Sequence, residues 1–283
     1  MRQERPIRCS LRLRRHRACR SGRRASISAG ASGRGASDVT SLPEQPAQRR
    51  LGLVIDLDTC VGCHACATSC KEWNMGGVAA PLTDLDPYGA KPDGVWFNRV
   101  HGFEAGEGGA GRTVHFPRSC LHCENAACVT VCPTGASYKR AEDGIVLVNE
   151  DLCIGCKLCS WACPYGAREF DEAEGVMKKC TLCVDRIYNE TLAEADRKPA
   201  CVMACPTGAR HFGDLADEGS EVSRLVAARG GFDLMPELDY RPTNKYLPPR
   251  MNASPAAVPP AAAGEAIRPE SKFLQWVDRL FSR

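Results

Sequence analysis

The sequence predicts an α+β fold of two interleaved units, each built from two cysteine-bearing loops with small hairpins and helices. Three observations carry that expectation. Sixteen of the eighteen cysteines lie between Cys60 and Cys205 in four groups of four. Three groups end in a repeated turn, CPTGAS at 132 to 137, CPYGAR at 163 to 168 and CPTGAR at 205 to 210. The segments between groups are short and carry brief apolar runs such as Gly144 to Val148, which suit small strands rather than long helices.

The spacing inside the groups points to iron-sulfur ligation. Cys60, Cys63, Cys66 and Cys70 read C-x2-C-x2-C-x3-C, and Cys153, Cys156, Cys159 and Cys163 repeat that spacing with Pro164 following. This is the run of bacterial ferredoxins. Cys120, Cys123, Cys128 and Cys132 widen one gap to x4, and Cys180, Cys183, Cys201 and Cys205 carry a 17-residue insertion. Three thiolates on one tight loop can reach three corners of a cube, while the fourth faces away and ligates the neighbouring cluster. Four motifs therefore imply four 4Fe-4S clusters. In the CP turns, proline removes a donor and glycine permits the tight bend, which leaves N–H groups that can aim at sulfur. Zinc fits poorly, since a structural zinc draws on two separated pairs and not on repeated triplets. Disulfides are disfavoured because the chain is long enough to build a core without staples.

Distance along the chain suggests how the groups pair. Cys132 and Cys153 flank the short strand-like run at 144 to 148, so the second and third motifs make one two-cluster unit, and the first and fourth close another around it. The expected ligand sets are Cys60, Cys63, Cys66 and Cys205 for cluster 1, and Cys180, Cys183, Cys201 and Cys70 for cluster 2. Cluster 3 takes Cys120, Cys123, Cys128 and Cys163, and cluster 4 takes Cys153, Cys156, Cys159 and Cys132.

Composition orders the rest of the chain. Residues 1 to 50 hold thirteen Arg, no Lys and three acids, net +10, against net −7 for the remainder. This Arg-rich, Ser-rich stretch reads as a disordered extension. Neither Arg14-Arg15 nor Arg23-Arg24 precedes the apolar stretch an export signal requires, and the aromatics expected of a nucleic-acid arm are absent. Cys9 and Cys19 lie there and are not assigned as ligands. Residues 51 to 119 hold the first motif and a Gly- and Pro-rich insertion with short strands expected at Val95 to Val100 and Thr113 to Phe116. That insertion either meets a partner subunit or covers the first cluster pair. Residues 120 to 175 form the inner two-cluster domain, and 176 to 246 carry the fourth motif and close the outer domain with 51 to 119. A Pro/Ala-rich linker follows at 247 to 270. Residues 271 to 283 place Phe273, Trp276, Val277, Leu280 and Phe281 on one apolar helix face flanked by Lys272, Arg279 and Arg283, suited to a membrane surface or a partner groove. No apolar run approaches the roughly 20 residues of a membrane span, so none is expected.

On all sixteen thiols the chain, over about residues 51 to 247, resembles the four-cluster electron-transfer subunits of the molybdopterin oxidoreductases related to dimethyl sulfoxide reductase, with polysulfide, thiosulfate and nitrate reductase partners among them. In some relatives a Trp replaces one thiol of the third motif and yields a 3Fe cluster; Cys156 here implies a full cube. The stretches VIDLDTCVGCHACATSCKEWN (54 to 74), CTLCVDRIYNETL (180 to 192) and NKYLPPR (244 to 250) look like the iron-sulfur subunits of quinone-linked sulfite dehydrogenases. The resemblance implies a non-catalytic electron relay between a molybdopterin catalytic subunit and an integral membrane quinone-binding subunit, serving sulfite oxidation. It implies a place on the cytoplasmic face of the inner membrane, held there by the partner, in preference to the periplasmic side. An electron subunit of a dimethyl sulfoxide, thiosulfate or polysulfide reductase is the alternative, and a stand-alone polyferredoxin the distant one. No catalytic residue and no nucleic-acid site is expected.

Several side chains near the motifs invite roles. His64 and His122 sit where no thiol is missing, so each is expected to donate an N–H to sulfur or a carboxylate rather than to ligate iron. Trp73 and Trp161 are expected to keep water off the clusters. Lys178, Lys179, Arg168 and Arg210 either offset cluster charge or lie solvated at the surface.

Overall fold

A computed structural model describes residues 41–75, 95–105 and 112–250. The expected N-terminal extension, except its last ten residues, the expected C-terminal linker, except residues 247–250, and the expected C-terminal helix lie outside them; Leu247, expected to open the linker, instead ends a buried strand. A six-residue apolar run forms β1 (Leu51–Asp56), buried along its whole length. It leads into the first motif, after which α1 (Ala65–Met75) begins. A hairpin follows, β2 (Asn98–Ala105) and β3 (Arg112–Ser119), antiparallel with Asn98 opposite Ser119 and Ala105 opposite Arg112. The expected strands are thus present, the first shifted toward the loop between them and the second lengthened, mostly at its far end.

The inner half repeats one pattern twice. One turn of helix, α2 (Ala127–Thr130), precedes the hairpin of β4 (Ser137–Lys139) and β5 (Val146–Val148). Another, α3 (Leu158–Trp161), precedes that of β6 (Glu169–Asp171) and β7 (Val176–Lys178). The fourth motif carries α4 (Val184–Ile187) and α5 (Ala200–Met203) and runs into β8 (Arg210–Asp214). Then come α6 (Glu221–Arg229), capped by the Ser220 hydroxyl accepting from the Ser223 N–H, and β9 (Lys245–Leu247).

The helix lengths follow from single residues. Cys132, Cys163 and Cys205 each precede a proline, and the residue before proline is pushed out of the helical region, so α2, α3 and α5 stop after one turn. Lys71 follows Cys70 instead, and α1 continues for 11 residues.

β1 lies at the centre of a three-stranded sheet, antiparallel to β8 and parallel to β9. Leu51 faces Asp214, and Ile55 faces Arg210 on one side and Tyr246 on the other. The sheet therefore joins the start of the first motif to the end of the fourth. One apolar core runs through all four motifs, from Leu53 and Ile55 through Phe116, Leu121 and Ile145 to Leu182 and Tyr246. Phe116 and Tyr246 stack with centroids 4.5 Å apart, and the Tyr246 hydroxyl donates to the Pro117 carbonyl at 2.9 Å. The architecture is α+β, with small sheets and short helices. Among the described residues no helix is long and apolar enough to cross a membrane.

Candidate metal centres

The four motifs share a backbone design. Two residues after the first cysteine of each motif, Gly62, His122, Gly155 and Leu182 adopt the left-handed conformation, with φ of 68°, 49°, 66° and 56°. Glycine takes that conformation freely, whereas a side chain there costs about 1–2 kcal/mol. The fully buried His122 and Leu182 are held in it by their packing. In each motif the third cysteine, Cys66, Cys128, Cys159 or Cys201, is the second residue of a helix, although in the fourth motif α4 and the insertion come between the loop and that helix. In α1, Cys66 and Cys70 are four apart and both buried, on one helix face.

All sixteen cysteines of the motifs are free thiols. Cys60, Cys63, Cys66 and Cys205 line one cavity, together with His64 and Arg210. Cys132, Cys153, Cys156 and Cys159 line another, together with Arg168. Burial holds the Cys123 thiol far above its usual range, with Cys120, Cys128 and Cys163 as its charged neighbours. Burial likewise raises Cys70, beside Cys180, Cys201 and Cys183. Cys180 also feels Cys120, which brings these last two quartets next to each other. Among the described residues no three His, Cys, Asp or Glu side chains converge as a single metal ion would require; the thiols stand around cavity walls instead.

The donor chemistry suits iron-sulfur clusters. Sixteen soft thiolate ligands select such metals. Burial pushes Cys163 and Cys183 up to about 11, so thiolates at these places need positive charge beside them, which cluster iron supplies. Backbone N–H groups point at sulfur: Ser137 at Cys132 Sγ (3.3 Å), Met177 at Cys153 Sγ (3.4 Å) and Leu182 at Cys180 Sγ (3.4 Å). The turns after Cys132 and Cys205 add a threonine, with Thr134 and Thr207 Oγ1 each 3.7 Å from the thiol. The CPT turns carried the signal for these hydroxyls, but the sequence reading gave a role only to their proline and glycine and none to the threonine. It also missed Asn74, whose Nδ2 donates toward Cys70 and Cys183 Sγ at 3.5 and 3.7 Å.

The basic side chains are not solvated. Arg168, Arg210, Lys178 and Lys179 are all buried. Lys178 pairs with Asp171 (2.9 Å) and Glu174 (3.0 Å) across the β6–β7 hairpin. Lys179 donates to the carbonyls of Val146 and Cys180. Arg168 Nη2 donates to Cys128 Sγ at 3.0 Å and Ser137 Oγ at 2.7 Å. Arg210 donates from Nη1 to Cys201 Sγ at 3.5 Å and from Nη2 to Asn98 Oδ1 at 2.7 Å.

The tryptophans do not seal the cavities. Trp161 is 81% exposed and Trp73 41%; the latter donates to Asp185 and lies under Arg186. A tryptophan on a one-turn helix beside a shallow loop has no second layer to cover it. The covering is done by the β2–β3 hairpin, since Val100 and Pro117 line the first cavity. His122 is fully buried, accepts at Nδ1 from the Val146 N–H (3.1 Å) and so carries its proton on Nε2. Burial, then the charges of Lys179, Lys139 and Arg168, keep it neutral.

Comparison with known proteins agrees with this chemistry. Residues 112–215 match a 4Fe-4S dicluster domain and residues 57–75 a 4Fe-4S binding domain. Over 201 residues the chain is 63% identical to a sulfite dehydrogenase subunit of Allochromatium vinosum, covering 71% of this chain and 84% of that protein. It is 38% identical to protein NrfC of Escherichia coli over 199 residues, 70% and 81% of the two proteins. It is 35% identical to a component of the anaerobic dimethyl sulfoxide reductase of the same organism over 208 residues, 72% and 91%.

Proposed function

The protein belongs to the family of 4Fe-4S iron-sulfur subunits that includes those of dimethyl sulfoxide reductase and sulfite dehydrogenase, and on that premise we propose that it relays electrons released by sulfite oxidation toward quinone. It carries four 4Fe-4S clusters and transfers electrons. The observation that carries the sulfite reading is the 63% identity to the Allochromatium subunit. A reductase reading has the support of the dimethyl sulfoxide reductase component at lower identity.

We assign the ligands as Cys60, Cys63, Cys66 and Cys205; Cys70, Cys180, Cys183 and Cys201; Cys120, Cys123, Cys128 and Cys163; and Cys132, Cys153, Cys156 and Cys159. Each cluster supplies one-electron storage without bond chemistry. The chain holds the groups in two interleaved ferredoxin-like lobes, because the fourth thiol of each motif serves the quartet of its partner motif. The closeness of Cys120 to Cys180 supports a single row running from the first quartet to the last. Exposed Cys63 and Cys156 belong to the two end quartets. Val61 beside the one, and Ile154, Leu158 and Trp161 beside the other, are apolar and exposed, which suits docking of redox partners at both ends. Those partners are a molybdopterin catalytic subunit and an integral membrane quinone-binding subunit, with the chain held peripherally on the cytoplasmic side of the inner membrane.

The test is anaerobic isolation with whatever copurifies, then addition of sulfite while cluster signals are followed by electron paramagnetic resonance. Reduction by sulfite and reoxidation by a quinone analogue is the expected result. Inert sulfite, with clusters filled by a quinol and emptied by a sulfoxide or polysulfide, replaces this reading with the reductase one.

A further inference from the structure

Two buried guanidinium groups stand where the cysteine quartets meet. Arg168 lines the cavity of Cys132, Cys153, Cys156 and Cys159, yet its Nη2 reaches Cys128 of the neighbouring quartet at 3.0 Å. Arg210 lines the cavity of Cys60, Cys63, Cys66 and Cys205, and its Nη1 reaches Cys201 of the quartet beside that one at 3.5 Å. They are 5% and 3% exposed.

Their other partners are neutral. Ser137 Oγ takes one N–H of Arg168 and Asn98 Oδ1 one of Arg210, both at 2.7 Å. Arg168 Nε and Nη1, and Arg210 Nε, are buried with no acceptor among the described residues. A guanidinium does not give up its proton inside a protein, and a buried charge needs an opposite one and filled hydrogen bonds. The negative charge within reach is that of the thiolates, joined by cluster sulfide when the clusters are bound.

The repeat explains why each lobe has one such group. The turns after Cys163 and Cys205 end in Arg, whereas the turn after Cys132 ends in Ser137, the residue that accepts from Arg168. The first motif has no such turn, and Asn74 stands near Cys70 and Cys183 instead.

We propose that Arg168 and Arg210 are inter-cluster cations, each placed between two neighbouring quartets and each raising the reduction potentials of both clusters those quartets hold. The proposal rests on the ligand grouping assigned above. Reducing a cluster adds one electron from a redox partner and breaks no bond. The added negative charge falls beside a fixed positive one, so the reduced form is favoured. The guanidinium is protonated throughout, so no proton accompanies the electron on its account. These are positioning residues, acting on potential and not on bond chemistry.

The test is a redox titration, followed by electron paramagnetic resonance, of the full chain carrying its clusters, with Arg168→Gln, Arg210→Gln and the matching Lys substitutions. In each Gln variant two of the four potentials are expected to fall, a different two in each variant, and Lys is expected to restore part of the fall. Iron and sulfide analysis separates the two readings: a wild-type chain that cannot hold four clusters sinks the ligand grouping. Four retained clusters with unmoved potentials, or a shift spread over all four, sink the inter-cluster role. Should a Gln variant lose clusters, the unsubstituted protein labelled with 15N-arginine still decides. Guanidinium nitrogen hyperfine coupling in the reduced clusters is expected, and its absence overturns the proposal.

Discussion

Asn244 ties the central strand to a cysteine loop far away in sequence: its Oδ1 accepts from the Leu53 N–H at 2.7 Å and its Nδ2 donates to the Cys120 carbonyl at 3.0 Å. Neighbouring Thr243 donates to the His122 carbonyl at 2.8 Å, so two adjacent side chains pin the second motif against β1. Asn244 is fully buried. Asn244→Ala leaves a buried donor and a buried acceptor unmet, which costs about 2–6 kcal/mol at about 1–3 kcal/mol per group. Anaerobic denaturant titration of the cluster-loaded chain should show that loss, with Asn244→Gln unable to restore it because the longer side chain cannot fit the same span.

Gly155 and Gly208 make a contrasting pair. Both are left-handed, but a Cβ on Gly155 would lie 2.5 Å from the Gly175 carbonyl oxygen, whereas one on Gly208 meets nothing within 4 Å. Gly208→Ala should therefore cost only the conformational term, about 1 kcal/mol. Gly155→Ala adds a clash with rigid backbone and should cost about 2 kcal/mol or more, with loss of iron from the neighbouring quartet. Equal denaturation midpoints for the two variants would count against this account.

Crossed ligation predicts that damage appears away from the substituted motif. Cys132→Ser should alter the cluster held by Cys153, Cys156 and Cys159, and leave the one held by Cys120, Cys123 and Cys128 intact. Pairing each variant with a second Ser substitution checks this by iron content: Cys132→Ser with Cys156→Ser should lose one cluster, and Cys132→Ser with Cys123→Ser two.

His101 should make the fold sensitive to mild acid. Burial, then the charges of Arg118, Arg99 and His64, lower its pKa to about 3. A folded-state value below the unfolded value near 6.5 means that the native state favours the neutral ring. Its contribution is whole above about pH 6.5 and is lost as the pH falls from there toward about 3. His101→Gln should lessen the drop in denaturation midpoint between about pH 7 and about pH 5, and an unchanged drop would exclude His101 as its source.

The cysteine spacing, the proline after three of the fourth thiols and the glycines of the tight turns were readable residue by residue, because each acts on its own backbone within a few positions. Cluster chemistry, one-turn helices and the small hairpins follow from such local rules. Burial of the basic side chains did not, since Arg168 and Arg210 follow turns that look like surface loops in sequence. Trp161 looked like a shield and is exposed, because what covers a loop is supplied by other segments, as the β2–β3 hairpin does for the first motif through Val100 and Pro117. The joining of β1 to β8 and β9, and the stitching by Asn244, likewise depend on partners more than a hundred residues away. Local conformational preference is written into adjacent residues; burial, and with it the environment of each charge, is a property of surfaces that only the folded chain brings together.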